Sequence, residues 1–292
     1  MKILLIGGCG YVGSYLHQRL LADGAEVTVC DLELRGNPLA TPLIESDYRN
    51  LSSKSLQRFD GVLWFAGHSS VGSAVNDPIG ALHNNCLGLF QLVQNLNDHT
   101  KFIYASTGSL YTSALKYPAA LDEESLKMIP KNNPYDSSKF AFDYLLSNFT
   151  KHKTYLGLRM GTICGFSPNL RAELVFNAMS IAASERGIVS LRNAESWRTI
   201  LFLEDLWILV RTILRKKMNA GFINAGSLTM TMRALSEKIS TAWGACIENN
   251  GDSATYSFRL DCRKMRILCG HDLSRRLVSR ESKNFIATYR SK

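Results

Sequence analysis

Short apolar runs alternate with amphipathic stretches along the first three-quarters of the chain. "KILLI", "AEVTVCD", "DGVLWFAG", "KFIYAS", "TYLGLRMG" and "GFINAG" are brief and rich in β-branched and aromatic residues. Each reads as a strand buried on both faces. Between them apolar residues recur at helical spacing, as at Val12, Leu16 and Leu20 before Gly24, and again over 79–97 and 134–151. Strands alternating with helices predict an α/β fold, a doubly wound parallel sheet with helices on both faces. After Gly161 the rhythm changes to a loop containing Pro168, further helical stretches and a mixed tail from 227. The pattern predicts a sheet domain over 1–161 plus 201–226, and a smaller discontinuous cap over 162–200 plus 227–292.

A chain of 292 residues, 46% hydrophobic and 20% charged, is expected to be globular. No apolar run reaches membrane-spanning length and the first residues do not read as a signal peptide, so the expectation is cytoplasmic. Seven irregularly spaced cysteines predict neither a disulfide framework nor a zinc site, and no metal is expected. Net charge is +9, unevenly placed. Residues 1–150 hold 11 Lys and Arg against 14 Asp and Glu, and residues 151–292 hold 23 against 11. The later half is thus the better host for an anionic ligand.

Three stretches carry candidate chemistry. "GGCGYVG" spaces Gly7, Gly10 and Gly13 between a strand and a helix. Glycines there allow a tight turn and let a pyrophosphate approach the N–H groups at the helix start. Asp31 ends the next strand, where a carboxylate can bond both ribose hydroxyls. This favours NAD over NADP, although Arg35 nearby leaves NADP open. "YDSSK" puts Tyr135 and Lys139 on one helical face. An ammonium beside a phenol should lower its pKa and poise it for proton transfer. "YASTGSLY" would present the Thr107 hydroxyl at a strand's carboxyl end, although Thr107 and Ser109 also suit a turn.

Taken in order, these segments resemble the extended short-chain dehydrogenase/reductases, in particular the nucleotide-sugar epimerase/dehydratase group with its Rossmann-type sheet. "SDYRN" is similar to the group's short Asp-x-Arg segment, "FAGHSSVGSAVNDPIGALHNNCLG" to its fourth-strand region, and "WRTILFLEDL" to its Arg-to-Asp segment. The likeness covers about residues 1–226, and in the tail "YSFRLDCRKMRILCG" is the best fragment. It implies Thr107, Tyr135 and Lys139 as the catalytic set. It implies a cofactor site of Gly7, Gly10, Tyr11, Val12, Gly13, Asp31, Asp47, Tyr48, Phe65, Ala66, Gly67 and Asn85, shared with Tyr135 and Lys139. Ser69, Thr107, Thr162 and Arg198 would meet the substrate, Arg198 at the diphosphate, with Asp205 structural.

Dehydratases of the group place acids directly after the catalytic hydroxyl; here Gly108 and Ser109 occupy those positions. The expected activity is therefore 4-epimerisation of a nucleoside-diphosphate sugar with NAD. The alternative is reduction of a 4-keto sugar with exchangeable NAD(P)H. A third reading is a non-catalytic dinucleotide-binding regulator. No nucleic-acid motif is visible, so no such partner is expected. The group's pairing helices, near 82–97 and 134–151, predict a homodimer. Thr162 replaces the group's usual Asn, and His68 and Ser69 follow the Ala66–Gly67 pair.

Overall fold

The computed structural model describes residues 1–39, 43–114, 121–125, 133–152, 154–270 and 276–292. Its main sheet contains β1 (Lys2–Ile6), β2 (Glu26–Asp31), β3 (Leu43–Glu45), β4 (Gly61–Trp64), β5 (Lys101–Thr107) and β6 (Tyr155–Met160), followed after three cap strands by β10 (Gly221–Ala225). The strand order is β10-β6-β5-β4-β1-β2-β3, and every pairing is parallel. The chain builds outward from β1 in one direction and then from β4 in the other. The two carboxyl ends at this reversal leave a crevice, the usual ligand position in such sheets.

The helices cover both faces. On one lie α1 (Tyr11–Ala22) and, later in the chain, α8 (Leu203–Arg215). Leu16 and Leu20 pack there with Leu206, Leu209, Val210 and Ile213 against Ile3, Leu5 and Leu63. The other face is covered by a run of helices: α2 (Ser53–Leu56), α3 (Val71–Asn76), α4 (Pro78–Leu82), α5 (Gly88–Gln94) and α6 (Pro134–Phe149). Leu89, Leu92, Val93, Phe142 and Leu146 meet Trp64, Phe102 and Tyr104 on that side. A wide π turn, His83–Leu87, joins α4 to α5 and points the buried Asn85 at Ser138, its Nδ2 donating at 3.0 Å.

A second core belongs to the later segments. These segments are β7 (Thr162–Cys164), α7 (Val175–Arg186), β8 (Ile188–Leu191), β9 (Trp197–Phe202), β11 (Leu228–Thr231), α9 (Met232–Trp243), β12 (Cys246–Asn249), α10 (Arg263–Cys269) and α11 (Val278–Arg290). Phe176 stands edge-on to Phe202 and packs near Phe285, with Met232, Leu235 and Ile239 filling the space beside them. The tail from 227 is more regular than its sequence pattern predicts. Strand β11 pairs antiparallel with β9, and β12 pairs with β8, so long-range pairing organises segments whose local periodicity is weak. Of these elements α10 packs on α8 and β10 rather than on the second core.

The chain binds the two cores together at the glycine turn. Tyr11 Oη donates to the Gly165 carbonyl at 2.6 Å, Ser167 Oγ to the Tyr11 carbonyl at 2.6 Å, and Asn169 Nδ2 to the Cys9 carbonyl at 2.7 Å. Among the described residues no helix is long and apolar enough to cross a membrane.

Candidate active site

A cavity of about 780 Å³ opens along the carboxyl ends of β1, β2, β4, β5 and β6. Its first part is shaped by glycines. Gly7 has a φ of 84°, and a Cβ there would meet the Ala66 nitrogen at 2.6 Å. A Cβ on Gly13 would fall 1.9 Å from the Gly7 carbonyl oxygen. These contacts are possible only without side chains. Gly10 precedes α1 with no side chain capping the helix, so the first-turn N–H groups face the cavity side. Asp31 stands where the second strand ends. Its Oδ2 accepts from the Cys9 N–H at 2.9 Å and its Oδ1 from the Glu33 N–H at 2.8 Å, which fixes the carboxylate. An uncapped helix start with bare backbone, one strand away from a fixed carboxylate, fits the pyrophosphate and ribose of a dinucleotide such as NAD.

The remaining walls bring in most of the expected cofactor residues: Tyr11, Val12, Asp47, Tyr48, Phe65, Ala66 and Gly67. Tyr48 donates its hydroxyl proton to the Asn84 carbonyl at 2.6 Å, and Asp47 pairs with Arg49 at 2.5 Å. That pair holds the Asp47 carboxyl below its usual range. Gly13 and Asn85 stand behind the wall. Asn85 is buried with its Oδ1 unpartnered among the described residues, and a Cβ on Gly67 would sit 2.5 Å from that oxygen.

Deeper in, Thr107, Tyr135 and Lys139 share the cavity. Thr107 ends β5. Tyr135 and Lys139 ride on α6, which starts cleanly because Asn133 caps it and Pro134 occupies its first position. Lys139 Nζ donates to the Ala105 carbonyl at 2.8 Å and lies 4.3 Å from the Trp64 ring centroid. Burial pushes its pKa down to about 7, with Asp143 opposing. Lys139 is 6.0 Å from the Tyr135 ring centroid, and the tyrosine is not lowered as the sequence spacing predicts. Burial pushes the Tyr135 phenol up to about 12, and Thr107 is its side-chain hydrogen-bond neighbour. The reason for the difference is desolvation, the largest influence on each group.

Beneath the triad lies a buried polar layer that the sequence did not signal. Asp143 accepts from Tyr104 Oη at 2.7 Å, Ser106 Oγ at 3.2 Å and Arg159 Nε at 3.0 Å. Burial raises the Asp143 pKa while Arg159 opposes it.

The far end of the cavity holds Ser69, Thr162, His68, Arg171, Leu174, Tyr256 and Phe258. The Thr162 hydroxyl has no partner among the described residues. Arg198 is absent from this wall. Its Nη1 donates to the Trp197 carbonyl at 3.0 Å and to the Tyr256 carbonyl, its Nη2 donates to Thr255 Oγ1 at 2.7 Å, and its guanidinium lies 4.2 Å from the Tyr256 ring centroid. Arg171 is the arginine that reaches the wall from the cap, with its Nε on Glu173 at 2.6 Å. Sequence reasoning missed Arg171, Tyr256 and Phe258. The tail fragment containing both aromatics matched the group's pattern, but nothing in it marked them as wall residues. Asp205, expected to be structural, accepts from Ser227 Oγ at 2.5 Å and from Arg276 Nη2 at 2.6 Å.

The family model described as "NAD dependent epimerase/dehydratase family" matches residues 3–226. The chain belongs to this family. A UDP-glucose 4-epimerase of Corynebacterium glutamicum is 31% identical over 157 residues, 51% of this chain and 46% of that protein. The chain spans about half the length of the curated relatives it matches. Among solved structures, the Thermotoga maritima UDP-glucose 4-epimerase with UDP-glucose superposes at a TM-score of 0.84 and 21% identity, over 100% of this chain and 99% of that one. An NAD-dependent NDP-hexosamine 5,6-dehydratase of tunicamycin biosynthesis superposes at 0.82 and 19% identity, over 100% and 98%. The fold thus accommodates both epimerases and dehydratases, and only side chains can separate them.

Proposed function

We propose that this family member is an NAD-dependent nucleotide-sugar epimerase that inverts C4 of a nucleoside-diphosphate hexose through a transient 4-ketone. The observation that carries the reading is the convergence of Thr107, Tyr135 and Lys139 on one cavity with the glycine turn and Asp31, while Gly108 and Ser109 take the place of the dehydratase acids. NAD, when bound, supplies a hydride acceptor and donor at C4. Tyr135 takes the O4 proton as the ketone forms and returns it as the alcohol is restored. Thr107 adjoins the same oxygen. Lys139, fixed by Ala105, holds the cofactor's ribose and offers positive charge beside the phenol. Arg171, with Ser69 and Thr162, meets the sugar diphosphate, and Tyr256 and Phe258 face the rest of the nucleotide.

One observation favours reduction of a 4-keto sugar instead: the free site keeps Tyr135 strongly protonated, the state a ketone reductase needs. Dialysis followed by a sugar panel separates the two. Retained NAD and interconversion of C4 epimers among UDP-, GDP-, CDP- and dTDP-hexoses support the epimerase. Loss of the cofactor, with NADH consumed only by a 4-keto sugar, supports the reductase.

The chain is further proposed to pair as a homodimer through the helical stretches near 82–97 and 134–151, where Leu82, Leu87, Tyr144 and Phe149 are exposed. On α6 Phe140, Phe142 and Leu146 are buried, while Tyr144 and Phe149 are exposed. The oligomeric state by light scattering tests this.

A further inference from the structure

A buried acid on α6 reaches Thr107 through one intervening side chain. Asp136 follows Tyr135 directly and is buried. Its backbone N–H donates to Asn133 Oδ1 at 2.9 Å and its Oδ2 accepts from Asn133 Nδ2 at 2.8 Å, as a helix-capping acid would. Capping does not explain its other oxygen. Asp136 Oδ1 accepts the hydroxyl proton of Ser109, a buried residue two positions past Thr107. Ser109 Oγ in turn lies 2.8 Å from Thr107 Oγ1, and the Ser109 N–H donates to that same Thr107 oxygen at 3.2 Å.

Counting protons gives these contacts a direction. A serine hydroxyl carries one proton, and here it goes to the carboxylate. The contact between the two hydroxyls must then use the proton of Thr107. That leaves the Thr107 oxygen only lone pairs for its remaining neighbours, the Ser109 N–H and the Tyr135 phenol. We propose that Asp136 is a positioning residue which, through Ser109, fixes Thr107 as the acceptor of the Tyr135 proton. The inference rests on the reading of Thr107 and Tyr135 as the reacting pair. It changes the role of the threonine in the free site, which holds the phenol in its proton-donating state instead of donating to the substrate oxygen. Thr107 turns its proton toward the cavity only when the Ser109 contact is given up. The other groups facing Tyr135 are Lys139 on α6, and Tyr256 and Arg171 from the cap; none of them touches Ser109 in the way Asp136 does.

The test is a titration of Tyr135 in the full chain, without sugar or cofactor, so its outcome is independent of which C4 reaction the protein performs. Incorporating 3-fluorotyrosine at position 135 brings the phenol's ionisation into a range where the fold persists, and fluorine NMR reads it at one site. Ser109→Ala keeps the Asp136 charge but cuts the relay, freeing Thr107 to donate to the phenolate. It should lower the midpoint by on the order of one pH unit. Asp136→Asn should lower it by at least as much, and Ser109→Thr, which restores a hydroxyl, should return it toward the parent. Should Ser109→Ala fail to fold, Ser109→Cys, a much weaker donor, carries the same expectation. A midpoint unmoved by Ser109→Ala overturns the relay, even if Asp136→Asn moves it, because the acid would then act by charge alone. If Thr107→Val leaves the midpoint unmoved too, the pairing of Thr107 with Tyr135 falls with it.

Discussion

The two ends of the cavity are built by different means. At the glycine turn the surface is backbone: bare N–H groups, a positive φ at Gly7, and a carboxylate fixed by two amides. At the cap the surface is side chain: Arg171, Leu174, Tyr256 and Phe258, all from outside the main sheet. Backbone surfaces tolerate almost no substitution, because a Cβ has nowhere to go. Side-chain surfaces can be exchanged residue by residue. On the proposed function, the dinucleotide meets the surface that tolerates least change and the sugar meets the one that can be exchanged.

Five substitutions would break or sharpen that contrast. The largest effect is expected where the two ends meet. Tyr135→Phe should lower kcat by about 10²–10⁴-fold. NAD binding, followed by calorimetry, should survive, and a variant with near-parent turnover would remove Tyr135 from the chemistry. Next, Gly13→Ala forces a methyl group to 1.9 Å from the Gly7 carbonyl oxygen. It should abolish NAD retention on gel filtration and lower Tm by more than about 4 °C. Unchanged retention would show that the turn is softer than its geometry.

The third change addresses the cap end. Arg171→Ala should raise KM for the nucleotide sugar about tenfold with little change in kcat, because it removes a binding charge away from the reacting oxygen. Arg198→Met should instead lower Tm, since its hydrogen bonds go to the 255–256 segment. If the two variants exchange phenotypes, the diphosphate belongs to Arg198 as the family resemblance implies.

The smallest effect concerns Lys139. Burial holds its folded pKa at about 7, below the ordinary lysine value of 10.5. Between those values the unfolded chain binds the additional proton, so this residue's contribution to stability rises with pH across that window and is most unfavourable below it. Lys139→Met should therefore raise Tm by about 2–4 °C near pH 6 and by less near pH 10. A gain independent of pH would mean that the ammonium is not penalised by burial.

Much of the sheet was legible in the sequence because parallel strands buried on both faces must be apolar throughout, and a glycine turn must lack side chains. The six main runs from "KILLI" to "GFINAG" became β1, β2, β4, β5, β6 and β10. Short β3, at the edge, carried too little apolar signal to be seen. Thr107, Tyr135 and Lys139 stood out in sequence because a hydroxyl, a phenol and an amine suit proton transfer, and the structure gathers them in one cavity. The position of Arg198 was not, since its partners lie 57 and 58 residues away on a loop with no periodicity. Asp136 was in plain view inside "YDSSK". Its meaning was hidden because its partner Ser109 comes from β5's end, 27 residues earlier.

The anchoring of Tyr256 by Arg198 has a consequence for how this cavity could change its client. A wall tied to β9 by several hydrogen bonds and a stacked guanidinium will not yield to a bulkier guest. Room must come from the other cap segment on this wall, Arg171 and Leu174, and directed evolution toward a larger ligand should collect its mutations there first.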